Sequence, residues 1–142
     1  MDSARHPVFV YGTLKRGYPN YDAHRLENFF IGVATTVESY PLYIAGQWFS
    51  PVVLDEPGTG HRFSGELYGV DQPTLEWLDS LEMVGQPMGY QRQLIRIETE
   101  YRQPVDAWIY TKSRQQLTLI HTPPLSSYDD YSQYIGRDQR PG

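Results

Sequence analysis

The chain is dominated by short runs of strand-forming residues, and this pattern limits its fold more than any other feature. One run is continuously apolar and others alternate apolar with polar side chains, as buried and half-buried strands do. Turn signals rich in proline and glycine lie between the runs, at residues 40–41, 56–60 and 84–87. We predict strands at Val8–Tyr11, Ile31–Val37, Leu42–Ala45, Arg62–Val70, Tyr90–Thr99 and Val105–Tyr110.

Many short strands leave edges that must be paired or covered, which favours a sheet that closes on itself. One segment, Asp71–Glu82, is instead typical of a helix, with Asp71 as N-cap and Pro73 in the first turn. We therefore predict an α+β fold, a small closed or nearly closed β-barrel with one or two flanking α-helices. The length suits a single domain over residues 1–142, with tails at 1–7 and 122–142 that are flexible or wrap the surface.

Composition excludes several classes of function. Twelve Lys and Arg against seventeen Asp and Glu give a net charge of −5, which does not favour nucleic-acid binding. The absence of cysteine excludes disulfides, thiolate nucleophiles and sulfur-based zinc sites, and the four histidines lack metal-ligand spacing. No apolar run is long enough to cross a bilayer, and the N-terminus lacks an apolar targeting core. We expect a soluble, cytoplasmic, monomeric protein that uses no metal or cofactor and binds no nucleic acid or membrane.

The predicted helix places one carboxylate where an apolar side chain is expected. At roughly 100° per residue its leucines define an apolar arc, and Glu82 falls only about 40° from the centre of that arc. Glu76 lies about 160° from the centre and Asp79 about 100°, so these two acids are expected on the solvated face and at its rim. The leucines are Leu75, Leu78 and Leu81.

An inward-facing Glu82 has two interpretations. Without a cationic partner its pKa should rise toward neutrality, where a carboxylate works well as a general base. Alternatively the helix ends early, and Glu82 then points to water or pairs with Arg92 or Arg96 in the following strand.

The first strand ends in a glycine turn, Tyr11-Gly12-Thr13-Leu14, followed by Lys15 and Arg16. Glycine lets the backbone turn with unusual dihedrals, and successive N–H groups in such a turn can bind a carboxylate or phosphate. An ordinary turn is the alternative. A nucleotide-binding loop is excluded, because Tyr18-Pro19 stands where lysine and serine or threonine would be needed. The two cations either attract an anion or form a solvated lip.

An ordered set of short motifs resembles the γ-glutamylcyclotransferase superfamily, and within it the γ-glutamylamine cyclotransferase branch most closely. The resemblance extends from residue 8 to about residue 111. None of the motifs is rare alone, but their order and spacing are specific. They are FVYGTLKRG at 9–17, PNY at 19–21, YPL at 40–42, GELYGVD at 65–71, LDSLE at 78–82 and YQR at 90–92.

This resemblance implies a small β-barrel that binds a γ-glutamyl compound and needs no cofactor. It implies that the turn Tyr11, Gly12, Thr13 and Leu14 binds the substrate α-carboxylate, and that Glu82 is catalytic. The substrate's own α-amine would attack its γ-carbonyl, releasing 5-oxoproline and a free amine from γ-glutamyl amines such as γ-glutamyl-ε-lysine or from γ-glutamyl amino acids. The helical periodicity points to Glu82 independently. A module on the same barrel that binds carboxylates without turnover is the alternative.

Several tyrosines and one lysine are candidates for supporting roles. The hydroxyls of Tyr11 and Tyr90 either orient Glu82 or belong to the core, and Lys15 is a candidate for attracting the substrate. In the tail, three tyrosines occur at helical spacing and either cover the mouth of the site or pack on the barrel. They are Tyr128, Tyr131 and Tyr134.

Overall fold

The computed structural model describes residues 5–100 and 103–141. The strands in these ranges are β1 His6–Val10, β2 Phe30–Thr36, β3 Leu42–Ala45, β4 Ser50–Val53, β5 Ser64–Val70, β6 Gln91–Thr99 and β7 Val105–Thr111. Two α-helices are α1 Ala23–Leu26 and α2 Gln72–Leu81, and short 3-10 turns cover Glu27–Phe29, Arg114–Gln116 and Arg137–Gln139. Within these residues, no helix is both long enough and apolar enough to span a membrane.

Five strands close into a barrel in the order β1, β5, β2, β6, β7. Neighbouring strands are antiparallel except at the closure, where β7 lies parallel to β1 with Trp108 opposite Val8. Strands β3 and β4 form a separate hairpin with Leu42 opposite Val53. The predicted closed barrel with flanking helices is confirmed, and closure pairs the edges that an open sheet would expose.

Strand β4 is the strand that the sequence interpretation missed, while the six predicted strands are present with shifts of a few residues at their ends. Ser50–Val53 is only four residues long and contains Pro51, a residue that normally argues against a strand. Pairing with β3 and burial of residues 51–54 stabilise it, and neither contribution is visible in local sequence.

Strand β1 is buried on both faces, as its continuous apolar run predicted. Phe9 packs into one hydrophobic cluster with residues of the opposite strands, whereas Val8 and Val10 pack into a second cluster. The second cluster also contains Leu75 and Leu78 of α2. Full burial of a leucine contributes about 1.5–3 kcal/mol, so these two leucines fix α2 against the barrel.

Helix α2 begins and ends as its sequence predicted. Asp71 caps it by accepting a hydrogen bond from the Thr74 N–H at 3.0 Å. The helix ends at Leu81, and Glu82 is the C-cap, with its N–H donating to the Leu78 carbonyl at 2.9 Å. The Glu82 carbonyl accepts from the Tyr90 N–H at 3.0 Å. The backbone of Glu82 is thus held from both sides, which fixes where its side chain starts.

The tail after β7 wraps the barrel. The carbonyl of Ser126 accepts from the Ser64 N–H at 3.1 Å, and the Leu125 N–H donates to the Leu42 carbonyl at 2.8 Å. The helical spacing of its tyrosines does not produce an α-helix among the described residues. Tyr128 is fully buried in the core, whereas Tyr134 reaches the cavity described below.

Candidate active site

A cavity of about 340 Å³ opens where the end of β1, the end of α2 and the tail meet. This volume is within the range of small-molecule sites. The cavity is lined by residues 9–14 and by Glu82 and Tyr90, so the structure brings the glycine turn and the candidate base together although they are far apart in sequence. The other lining residues are Asn20, Trp48, Ser50, Pro51, Met83, Met88, Gly89, Tyr110, Lys112, Tyr134, Arg137 and Arg140.

Gly12 is required because the turn passes close to the ring of Pro51. A Cβ atom at this position would lie 2.5 Å from Cγ of Pro51, a distance that real Cβ contacts do not reach. The expectation of unusual dihedrals is wrong, because Gly12 is not among the residues with positive φ. Gly12 instead lets the turn pass directly over strand β4, which contributes the wall opposite it.

The backbone amides of the turn are the strongest sign of an anion site. Among the described residues, the N–H groups of Gly12, Thr13 and Leu14 have no hydrogen-bond acceptor, although these residues are buried. The N–H of Lys15 donates to the Gly12 carbonyl at 3.1 Å. Buried N–H groups in folded proteins nearly always have an acceptor, so three successive free amides are suited to a bound carboxylate.

The turn is held in place from its outer side. The Asn20 N–H donates to the Thr13 carbonyl at 2.8 Å, and Asn20 Nδ2 donates to Thr13 Oγ1 at 2.8 Å. The N–H of Arg16 donates to Glu66 Oε1 at 2.8 Å. These contacts fix the direction of the three free amides before any ligand binds, which reduces the entropy lost on binding.

Glu82 has the electrostatic character that its position on the helical wheel predicted. Burial raises its pKa to about 7, and the positive charges of Arg137 and Lys112 hold the pKa below the value that burial alone would give. In the part of the chain that the structure describes, no hydrogen bond or ion pair within 4.0 Å involves its carboxylate. Glu82 is therefore a carboxylate that can both take up and release a proton near neutral pH.

The two alternative interpretations of Glu82 do not hold. Arg92 lies 3.5 Å from Asp79 Oδ2, and Arg96 lies 3.7 Å from Asp106 Oδ1, so each has another acidic neighbour. Glu82 does not simply point to water either, because it is only partly exposed and lines a cavity.

Tyr11 and Tyr90 line the cavity, but their hydroxyl groups bond to backbone. The Tyr11 hydroxyl donates to the Tyr110 carbonyl at 2.8 Å and accepts from the Val53 N–H at 3.3 Å. The Tyr90 hydroxyl donates to the Pro51 carbonyl at 2.8 Å. Burial raises the pKa of both hydroxyls, so they remain protonated and act as walls of the cavity.

Lys15 lies outside the cavity lining. Its side chain is buried, with Nζ donating to the Tyr128 carbonyl at 2.7 Å and lying 4.4 Å from the centre of the Tyr18 ring. Arg16 has 43% of its side chain exposed and lies 3.7 Å from Glu27 and 3.8 Å from Glu66. Of the two alternatives for these cations, a solvated lip does not describe Lys15, which anchors the tail against the turn.

Comparison with known proteins places these features in a family. The family model described as "Gamma-glutamyl cyclotransferase, AIG2-like" matches residues 8–133. This chain belongs to that family. The predicted resemblance is confirmed.

Relatives within the γ-glutamyl cyclotransferase family are similar over most of the chain. Gamma-glutamylaminecyclotransferase B of Danio rerio is 44% identical over 133 residues, which cover 86% of this chain and 67% of that protein. Gamma-glutamylaminecyclotransferase of Bos taurus is 41% identical over 133 residues, which cover 90% of this chain and 78% of that protein. The crystal structure of an AIG2-like protein from Mus musculus is 36% identical with a TM-score of 0.81, covering 97% of this chain and 100% of that chain.

Three cations in the cavity were missed by the sequence interpretation. Lys112 directly follows β7, and its Nζ lies 4.5 Å from the centre of the Tyr90 ring. Its position at the end of a strand was a signal that could have found it. Arg137 and Arg140 lie in the tail, beyond the residues that match the family model, and no pattern in the sequence marks them.

A metal centre has no support in the part of the chain that the structure describes, where no group of three or more acidic or histidine side chains is arranged to hold a metal ion. The cavity contains instead one carboxylate, three cations and a row of free amides. Such a site is equipped to bind a carboxylate and to transfer a proton.

Proposed function

We propose that this chain is a γ-glutamylamine cyclotransferase, which converts a γ-glutamyl amine into 5-oxoproline and the free amine. The observation that carries the proposal is that Glu82, an unpaired carboxylate with a pKa of about 7, shares one cavity with the free amides of Gly12–Leu14. Membership of the family and the names of its relatives support the same activity.

The glycine turn binds the part of the substrate that every γ-glutamyl compound shares. Its three amides donate to the α-carboxylate, as N–H groups in a concave turn do with anions. Tyr11 supplies the adjoining wall from its ring. With the α-carboxylate fixed, the flexible glutamyl chain is held folded so that its α-nitrogen lies next to its own γ-carbonyl. Such positioning of two reacting groups accounts for a large part of the rate enhancement over the uncatalysed reaction.

Glu82 moves the protons of the reaction. Its carboxylate takes a proton from the α-ammonium group, and the free α-amine then attacks the γ-carbonyl carbon, forming the ring C–N bond. The tetrahedral intermediate collapses by breaking the bond to the leaving nitrogen, which receives the proton from Glu82. The ring nitrogen, which still carries two protons, gives one of them to the Glu82 carboxylate, and Glu82 passes this proton to the released amine, which leaves as an ammonium ion. The carboxylate is thereby regenerated, and the cycle consumes no net proton. A pKa of about 7 suits this exchange at neutral pH, because both protonation states are accessible.

The direct test is to offer the protein a panel of γ-glutamyl compounds and to measure 5-oxoproline. The panel contains γ-glutamyl-ε-lysine, a γ-glutamyl alkylamine, a γ-glutamyl α-amino acid and glutathione. We expect 5-oxoproline from at least one γ-glutamyl amine. Binding of every compound without any product would identify a carboxylate-binding module and refute the enzymatic function.

A second set of compounds tests the turn. In these the α-carboxylate of each substrate is converted to a primary amide, which removes the charge that the amides of Gly12–Leu14 would bind. We expect the amidated compounds to bind poorly with every leaving amine. Turnover of an amidated compound as fast as its parent would show that the turn does not bind the α-carboxylate.

A further inference from the structure

The cavity contains more positive charges than the anionic groups on the γ-glutamyl half of a substrate can neutralise. Three cations line it, Lys112, Arg137 and Arg140, against the single carboxylate of Glu82. On the proposed function, the substrate α-carboxylate lies on the amides of the glycine turn and the α-ammonium lies beside Glu82. The common half of the substrate therefore brings no further anion to the three cations, which share the single carboxylate of Glu82.

Two of these cations are carried by a tail that is tightly docked at the mouth of the cavity. The Ile135 N–H donates to the Trp48 carbonyl at 3.0 Å, and Arg140 Nε donates to the Ile135 carbonyl at 3.0 Å. The Arg140 guanidinium lies 5.1 Å from the centre of the Trp48 ring. Arg140 is thus held in place by contacts that use only part of its donor capacity, since a guanidinium has five N–H groups.

The tail also contacts the substrate turn. Asn20 Nδ2 donates to the Tyr134 hydroxyl at 3.0 Å and to Thr13 Oγ1 at 2.8 Å. One amide side chain therefore connects the tail with the turn, so the tail cations lie along the same opening as the α-carboxylate site. A ligand that extends from the turn toward the mouth would meet them.

Arg137 is the cation most available to a ligand. Among residues 5–100 and 103–141, its guanidinium forms no hydrogen bond and no ion pair, and the residue is exposed while it lines the cavity. Burial lowers the pKa of Lys112, the carboxylate of Glu82 opposes this effect, and the positive charge of Arg140 adds to it, because like charges repel one another. Binding of an anion between them would relieve that repulsion.

We propose that Arg137 and Arg140, together with Lys112, form a subsite for a carboxylate on the leaving amine, so that this chain prefers γ-glutamyl amines whose leaving half is acidic. This inference rests on the proposed function and specifies its substrate class. Arg137 and Arg140 lie beyond the segment that the family model matches, whereas Lys112 lies within it.

Three matched substrates test the preference. γ-Glutamyl-ε-lysine carries both a carboxylate and an ammonium on its leaving half, γ-glutamyl-cadaverine lacks only that carboxylate, and γ-glutamyl-6-aminohexanoate lacks only that ammonium. We expect kcat/KM for the two carboxylate compounds to exceed that for the cadaverine compound by about tenfold, as one charge-assisted contact permits. The advantage should shrink as ionic strength is raised, because exposed charges are screened. Equal kcat/KM for all three would overturn the proposal.

Substitutions then assign the preference to the tail. At pH values well above the apparent pKa of Glu82, where a shift of that pKa no longer changes the ionised fraction, Arg137→Gln should lower kcat/KM about fivefold for the two carboxylate compounds, the scale of an exposed charge pair. It should change kcat/KM less than twofold for the cadaverine compound. Arg137→Glu should reverse the order of the substrates. The control is Arg96→Gln, a surface arginine outside the cavity lining, which should leave all three values unchanged. A loss that is equal for all three substrates would mean that Arg137 acts on the common half, and the proposal would fail.

Equilibrium binding separates this proposal from the proposed function. Calorimetry with the same three compounds, on Glu82→Gln protein with and without Arg137→Gln, measures the carboxylate preference without turnover. If the unsubstituted protein forms no 5-oxoproline from any compound, the enzymatic function fails. The subsite would still be supported by tighter binding of the carboxylate compounds that Arg137→Gln abolishes, and it would be refuted by equal affinities.

Discussion

Two carboxylates flank the glycine turn, and their surroundings differ sharply. Glu66, on strand β5, has a side chain that is 14% exposed, and it accepts hydrogen bonds from the Arg16 N–H at 2.8 Å and the Tyr68 hydroxyl at 3.0 Å. Glu82, at the end of α2, accepts none from the described residues. Both are shielded from water to a degree, so limited exposure alone does not separate a structural acid from a reactive one.

The difference lies in what surrounds each carboxylate. The oxygens of Glu66 are occupied by donors that shape the outer side of the turn, which makes it part of the scaffold. The carboxylate of Glu82 faces an open cavity, and burial raises its pKa to about 7. The comparison teaches that an acid without partners, placed beside a substrate-sized space, is the better candidate for proton transfer.

The largest expected effect follows from removing the proton carrier. Glu82→Gln keeps the shape of the side chain but cannot exchange a proton. We expect kcat for 5-oxoproline formation to fall by about 10²- to 10⁴-fold, the usual contribution of general acid–base assistance. Substrate affinity should change far less, because the glycine turn supplies it. A folded Glu82→Gln protein with nearly the parental rate would show that the base is another group.

The same substitution should change stability in a pH-dependent way. The folded-state pKa of Glu82 is raised from the usual 4.5 to about 7, so between these values the native state binds more protons than the unfolded state. The parent protein therefore loses stability as pH rises through that interval, and Glu82→Gln does not. Relative to the parent, the variant should gain up to about 3 kcal/mol between pH 4 and pH 8, and less where water in the cavity screens the charge.

Urea unfolding of both proteins across this pH range measures the effect. A difference between their free energies of unfolding that does not vary with pH would contradict the assignment of the raised pKa to Glu82.

The pH dependence of activity should report the same group. Because Glu82 must be ionised to accept a proton, kcat/KM should rise about tenfold per pH unit at low pH and level off above an apparent pKa near 7. Arg137→Gln removes a charge that lowers this pKa, so its profile should shift toward higher pH. A shift toward lower pH would contradict the electrostatic description of the site.

Glu66 should behave in the opposite way. Glu66→Gln weakens the hydrogen bonds to Arg16 and Tyr68, so we expect a loss of about 1–3 kcal/mol in stability, typical of hydrogen bonds that involve a charged group. Its activity should fall less than tenfold, and the apparent pKa near 7 should persist. If the pH profile of Glu66→Gln activity no longer showed an apparent pKa near 7, the assignment of a structural role to Glu66 and a catalytic role to Glu82 would be wrong.

The smallest effect is expected at Glu76, on the outer face of the same helix as Glu82. Its carboxylate accepts a hydrogen bond from Gln72 at 3.0 Å at the surface, and the residue does not line the cavity. Glu76→Gln should leave kcat within twofold and stability within about 0.5 kcal/mol of the parent. This variant is the matched control for Glu82→Gln, and a large loss of activity would show that any change of charge on α2 is harmful.

Helix α2 and the closed barrel could be predicted because they depend on local patterns. Asp71, Pro73 and the spacing of three leucines define a helix, and the same periodicity turns Glu82 inward. Strand β4 could not be predicted in this way, because Pro51 contradicts a local strand pattern and only pairing with β3 overrides it. Gly12 was recognised, but its physical reason, the approach of Pro51, depends on that missed strand.

The cationic part of the cavity was beyond sequence reasoning for a different reason. Lys15 follows the turn directly and has the expected charge, yet it turns away to the Tyr128 carbonyl. Arg137 and Arg140 reach the cavity because the tail docks on Trp48, a contact between distant segments that leaves no periodicity. Local sequence thus identified the reacting carboxylate and the turn, but not the charges that surround them.

Closure of the barrel has a consequence for folding kinetics. Strand β1 pairs with β5 and β7, both distant in sequence, so forming either contact closes a long loop at an entropic cost. The glycine turn begins where β1 ends, and Glu82 stands on a helix that packs against Val8 and Val10 of the same strand. Refolding protein should therefore regain activity only after β1 has paired with β5 and β7. The rate at which 5-oxoproline formation recovers would then measure the rate of barrel closure.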